Sequence, residues 1–163
     1  MTTMNALKLP PIKDVKDLFD GLLGRTVEIS EGKPWNPGAR EPAAVAEYVT
    51  DKTVLGALAM TDLKLSIFIG AAMGLLPKGG AEDMIDEVDP TPAVMENLYE
   101  VLNVLTSTLN VPNSPHLRIT RMHSLRAALP ADVSALTASI GNRLDLVIDI
   151  SGYGKGRLAM ILA

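Results

Sequence analysis

Two stretches far apart in the sequence carry one pattern. "DLFDGLLG", Asp17 to Gly24, and "NLYEVLNV", Asn97 to Val104, place leucine, aromatic, acid and leucine in the same order. Each is followed by a strand-like segment and then by a pair of strand-like segments, so the order helix, strand, hairpin occurs twice. We read this as an internal duplication, which limits the fold to one that can be built from two similar halves. In this register Asp20 stands opposite Glu100, and Leu23 stands opposite Asn103. Only the second half carries a Glu/Asn pair.

The local patterns fill in each half. Asp14 to Leu23 predicts a helix with Val15, Leu18, Phe19 and Leu22 inward, ended by Gly24. "RTVEISEG" alternates like a strand and "GKPWNPGAREP" is a loop rich in Pro and Gly. "AAVAEYVT" and "TVLGALAMT" predict a hairpin turning around Asp51 and Lys52. The apolar run from Asp62 to Leu76 predicts a buried helix in which Gly70 and Gly74 allow close packing, stopped by Pro77, Gly79 and Gly80. "AEDMIDEVDPTP" reads as an acidic link into a helix over residues 95 to 110, with Thr91 or Asp89 as cap and Pro90 or Pro92 at its start. Then follow a strand, "HLRITRM", a short helix or loop, "LPADVSALTASIGN", and a second hairpin, "LDLVIDI" and "RLAMILA" across "SGYGKG". That glycine-rich turn lacks the G-x-x-x-x-G-K-[ST] spacing of a phosphate loop and leads into no helix, so it reads as a hairpin turn.

Composition narrows the function classes. With 163 residues, 47% hydrophobic and 21% charged, the chain suits one domain over 1-163, the first thirteen residues expected to be loosely ordered. A net charge of -4 and no Lys/Arg cluster give no footprint for nucleic acid or an anionic membrane. Cysteine is absent, which excludes disulfides and thiol chemistry. His116 and His123 show no metal-binding spacing and read as strand or loop residues. "LSIFIGAAMGLL", Leu65 to Leu76, is shorter than the roughly 20 residues of a membrane span. The N-terminus has no apolar signal core, so a cytoplasmic protein is expected.

The helix over 95 to 110 separates its residues by side. Met95, Leu98, Leu102, Leu105 and Leu109 form a stripe toward the core, while Glu96, Glu100, Asn103, Ser107 and Asn110 form a polar row on the other side. A carboxylate and a carboxamide three residues apart are within about 5–6 Å at Cβ and can address one ligand. For a Glu/Asn pair by itself, the ordinary reading is a solvated helix face.

The segment "ENLYEVLN" resembles the motif of the CheC/CheX/FliY chemotaxis phosphatases: Asp or Ser, three residues, Glu, two residues, Asn, on a surface helix. Glu96, Glu100 and Asn103 stand at that spacing. With one motif, in the second half, the chain is similar to CheX-type members rather than to CheC, and the resemblance runs from about Asp14 onward. It implies an α+β fold: a pseudo-repeat of helix, strand and β-hairpin, with an antiparallel sheet packed against long helices. It also implies an aspartyl-phosphate phosphatase acting on a CheY-like response regulator. Asn103 would hold the attacking water, Glu100 would pair with a lysine of the regulator, and Glu96 is a possible accessory residue. No cofactor would be bound by this chain; Mg²⁺ would sit on the regulator. A homodimer is implied as well. The alternative is a CheX-like module that binds a response regulator without turnover. A third reading is an assembly domain that uses an exposed Trp35 loop or a sheet edge.

Overall fold

The computed structural model describes residues 6–37 and 41–163, and its centre is a six-stranded antiparallel sheet. In chain order the elements are α1 (Ile12–Leu23), β1 (Val27–Glu31), β2 (Ala43–Val49), β3 (Leu55–Asp62), α2 (Leu63–Met73), α3 (Lys78–Glu87), α4 (Pro92–Leu105), β4 (Arg118–His123), α5 (Ala131–Thr137), β5 (Arg143–Ile150) and β6 (Gly154–Leu162). The strand order is β1-β5-β6-β3-β2-β4. It has a twofold logic: the β2–β3 and β5–β6 hairpins meet at the centre, where β3 pairs β6, and one lone strand lies at each edge. Each lone strand pairs with the other half's hairpin, β1 with β5 and β4 with β2. The order helix, strand, hairpin, twice, is therefore present, and each half completes the other's sheet.

One face of the sheet carries α1, α2 and α4. Ala44, Ala46 and Tyr48 of β2, Ala57 and Ala59 of β3, and Leu158 and Met160 of β6 meet Phe19, Leu65, Ile69, Leu98 and Leu102 there. The alternate residues Val45, Leu58, Met60, Ala159 and Ile161 form a second core with Trp35 and Val133 on the opposite face. Both faces being covered, all seven residues of β2 are buried and its alternation of polar and apolar residues is suppressed.

Trp35 is only 7% exposed, so the exposed Trp35 loop expected from the sequence is not what forms. The indole covers the sheet, Arg157 stacks 4.8 Å over its ring, and its carbonyl accepts from Arg143 Nη2 at 2.8 Å. Arg143 is a hub: it holds Asp145 through Nε and Nη2 at 2.8 and 2.7 Å and reaches the carbonyls of Thr137 and Ser139 through Nη1 at 3.2 and 2.8 Å. One buried guanidinium thus ties the Trp35 segment and the end of α5 to β5. On the same face, buried Glu47 of β2 accepts from Arg121 and pairs with His123 of edge strand β4, both at 2.5 Å.

Gly70 marks the tightest helix crossing. A Cβ there would lie 2.2 Å from the Val94 carbonyl oxygen, and Asn97 Nδ2 donates to the Gly70 carbonyl at 3.1 Å, so α2 and α4 touch through backbone. Gly156 lets β6 approach the start of α2, where a Cβ would fall 2.4 Å from Leu65 Cβ.

Several expectations shift. The acidic link is mostly helix α3, which starts just after Pro77 with Gly79 and Gly80 in its first turn rather than as a stop. It was hard to see because Ala81 is its one buried residue and two glycines weaken its propensity. Helix α4 begins at Pro92 with Thr91 as its cap and ends at Leu105, not 110; a 3₁₀ turn, Thr106–Thr108, follows. His116 precedes β4, and His123 is its last residue. Of the first thirteen residues, 1–5 lie outside the described residues; Leu7 and Leu9 pack against the core and Pro10 is buried. Parts of the Pro/Gly loop, residues 38–40, also lie outside the described residues. Among the described residues no helix is long and apolar enough to cross a membrane.

Candidate functional site

Helix α4 is amphipathic because Val94, Leu98, Val101, Leu102 and Leu105 recur at three- and four-residue intervals and are buried. The angular consequence is that Glu96, Glu100 and Asn103 point away from the core, and all three are exposed. None of their side chains has a hydrogen bond or ion pair with another described residue. The structure thus brings the three predicted residues into one free row. The row is shorter than expected: Ser107 is exposed in the 3₁₀ turn, and Asn110 is withdrawn from it. Asn110 spends its amide on the loop before β4, accepting from Leu117 N at 2.8 Å and donating to the Leu117 carbonyl at 2.9 Å.

The free side chains stand on a helix held at both ends. Near its start, Asn97 and the Val94 backbone grip Gly70 of α2. At its end, the Tyr48 hydroxyl donates to the Leu102 carbonyl at 2.5 Å, inside the core. That carbonyl needs an outside donor because Thr106 turns its N–H toward Asn103 and Val104 instead, tightening the chain into the 3₁₀ turn. Thr106 adds its hydroxyl to the Asn103 carbonyl. Asn103 therefore has an anchored backbone and a free carboxamide. Burial pushes the Tyr48 phenol far above its usual range, which keeps it a donor. Tyr48 and Thr106 were not among the residues singled out from sequence; the one available signal was a tyrosine in a mostly apolar strand.

The surface chemistry is simple. Glu96 and Glu100 lie one turn apart, and the last turn of α4 has no basic residue, so the face is acidic. Val104, 39% exposed, gives an apolar patch beside Asn103. Among the described residues no group of three or more His, Asp or Glu side chains is arranged to hold a metal.

The corresponding positions of the first half are occupied by structural work. Asp20 accepts from Lys16 Nζ and from Val27 N, each at 2.8 Å, and Leu23 is buried. The Lys16 hydrogen bond, followed by that of Val27 N–H, holds the Asp20 carboxyl below its ordinary value. Where Glu100 is free, Asp20 ties α1 to β1.

No protein-family model matches the chain, and no curated protein matches it. Among solved structures, the CheX–CheY–BeF3–Mg²⁺ complex from Borrelia burgdorferi matches with a TM-score of 0.52 at 11% identity, covering 93% of this chain and 94% of that one. The chain has the CheX-like fold. Other matches are the FliM middle domain from H. pylori, with TM-score 0.48 and 9% identity over 92% of this chain and 83% of that one, and Thermotoga maritima FliY, with 0.46 and 12% over 91% and 81%. The sequence reading of an antiparallel sheet packed against long helices agrees with this fold.

Proposed function

We propose that the chain removes the phosphoryl group from the phosphoaspartate of a CheY-like response regulator. The observation that carries this reading is the free, exposed pair Glu100 and Asn103 on a helix pinned at both ends. Support comes also from the fold shared with a CheX that was crystallised in complex with CheY.

In this reading α4 docks across the regulator's phosphorylated site. Asn103 offers a carbonyl acceptor and an amide donor, which hold a water in line with the phosphorus. The water oxygen bonds to phosphorus as the P–O bond to the aspartate breaks. The aspartate leaves as a carboxylate, and both protons of the water go to the inorganic phosphate, released as dihydrogen phosphate. Glu100 pairs with a lysine of the regulator and fixes the docking pose, and Glu96 adds a second acceptor one turn earlier. Mg²⁺ belongs to the regulator. An acyl phosphate is already activated, so positioning suffices and no base with a displaced pKa is needed.

Phosphate release from a panel of phosphorylated CheY-like regulators, with Mg²⁺ present, tests the reading. The wild type accelerates release from one of them. Asn103→Ala lowers that rate by roughly 10²–10³-fold, as does loss of one transition-state donor elsewhere, and Glu100→Ala weakens it while leaving the fold intact. If the wild type accelerates none, the phosphatase reading is wrong.

A second reading keeps docking and drops turnover. It is favoured by Glu96, a longer acid than the Asp or Ser of the resembled motif, and by Leu125, which stands where that family has a proline. Binding that depends on Glu100, with no change in phosphate loss, would establish it. A homodimer joined through the sheets is also proposed, and a solution mass of one protomer would refute it.

A further inference from the structure

A cavity of about 320 Å³ opens between the start of α2, helix α3 and the turn between β5 and β6, away from α4's polar row. Its size lies at the lower end of the range of small-molecule sites. Three lysines from three elements line it: Lys64 of α2, Lys78 of α3 and Lys155 of β6. None of them makes an ion pair or hydrogen bond among the described residues. The contrast with α1 is direct, since Lys13 and Lys16 each bind an acid four residues on, at 2.8 Å. Lys78 also has an acid four residues on, Glu82 in the same cavity, and leaves it unpaired. Lysine before glutamate is the weaker order for such a pair.

The remaining lining comes from α3 and from an aromatic floor. Glu82, Ile85 and Asp86 of α3 line the cavity beside Lys78 of the same helix. The floor is Phe68 and Tyr153, whose ring centroids are 6.1 Å apart and tilted by 51°. The Tyr153 hydroxyl is already spent on the carbonyls of Leu76 and Ala71, so the ring is fixed in place. Arg25 stacks on it at 4.9 Å. Gly154, at φ 148, keeps the floor open, because a Cβ there would meet Phe68 at 3.1 Å.

Ammonium groups from three elements call for a ligand with more than one negative charge. Two carboxylates in the same lining, on the helix that also carries Lys78, disfavour a bare polyanion and call for N–H or O–H donors elsewhere on the ligand. The apolar floor calls for a flat body between the two. We propose that this cavity binds a nucleotide, its phosphates on Lys64, Lys78 and Lys155 and its base or ribose donors toward Glu82 and Asp86. The lysines are exposed, so the binding weakens as salt rises.

Calorimetric titration of the full chain at low salt tests this with AMP, ADP, GMP, GDP, adenosine and inorganic pyrophosphate. A nucleotide binds at least about tenfold more tightly than either the nucleoside or pyrophosphate. The Lys64→Gln/Lys155→Gln variant loses about tenfold or more of that affinity at an unchanged melting temperature. Glu82→Gln/Asp86→Asn weakens the nucleotide and strengthens pyrophosphate. Three results overturn the proposal: no nucleotide binding up to about 10 mM, pyrophosphate binding as well as any nucleotide, or affinity indifferent to the lysine variant. Its outcome does not depend on the phosphatase reading, because α4 takes no part.

Discussion

Tyr48 shows how one buried polar atom can govern an exposed one. Its hydroxyl satisfies the Leu102 carbonyl that the 3₁₀ turn leaves without a helical donor. Tyr48→Phe keeps the ring and orphans that carbonyl, so unfolding in urea should show a loss of about 1–3 kcal/mol. If Asn103 positions water, the same variant should lower kcat for phosphate release more than it raises KM. Asp20 gives a pH signature at the same scale. Its folded pKa lies below the ordinary 3.8, so its contribution to stability is complete above that value and is lost as pH falls through the lower, folded one. Asp20→Asn removes this contribution. The melting temperatures of variant and wild type should therefore converge as pH falls below about 4 and differ at neutral pH; a constant gap would show that the carboxylate's charge is not involved.

At the scale of elements, the α2–α4 crossing is set by contact rather than by propensity. Gly70→Ala would drive a methyl into the Val94 backbone, and chemical denaturation should report a loss of about 1–3 kcal/mol or more. Gly79→Ala in α3 is the control: its Cβ meets nothing, and the change should stabilise by about 0.5–1 kcal/mol. The same distinction explains what was legible in the sequence. Both hairpins and helices α1, α2 and α4 could be read because apolar periodicity and Pro/Gly punctuation act over neighbouring residues. The exposure of Glu96, Glu100 and Asn103 followed from that periodicity. Helix α3 could not be read, since it buries little and so has little pattern. Trp35 was misplaced because a Pro/Gly-rich segment reads as surface, while its burial depends on Arg143 and Arg157, over a hundred residues later. The Tyr48–Leu102 bond was hidden for the same reason, joining residues 54 apart.

At the scale of the whole molecule, the exchange of β1 and β4 makes the halves interdependent. A chain divided at Val88–Asp89, between α3 and α4, should give two fragments without cooperative unfolding when made separately, and a cooperative complex when made together. Circular dichroism melts of each fragment and of the mixture would check this. A fragment melting cooperatively alone would show that a half is self-sufficient.

The place of β6 has a consequence for biosynthesis. It is last in sequence order yet lies in the middle of the sheet, between β5 and β3. Until Gly154 to Leu162 have been added, the β2–β3 hairpin and β5 each have an edge waiting for β6. Neither can wait safely in water. Closure is thus postponed until β6 has been made, and a chain stalled or released before then would expose sticky strand edges. For such a chain, chaperone capture during elongation is the natural counterpart of a sheet whose central strand arrives last.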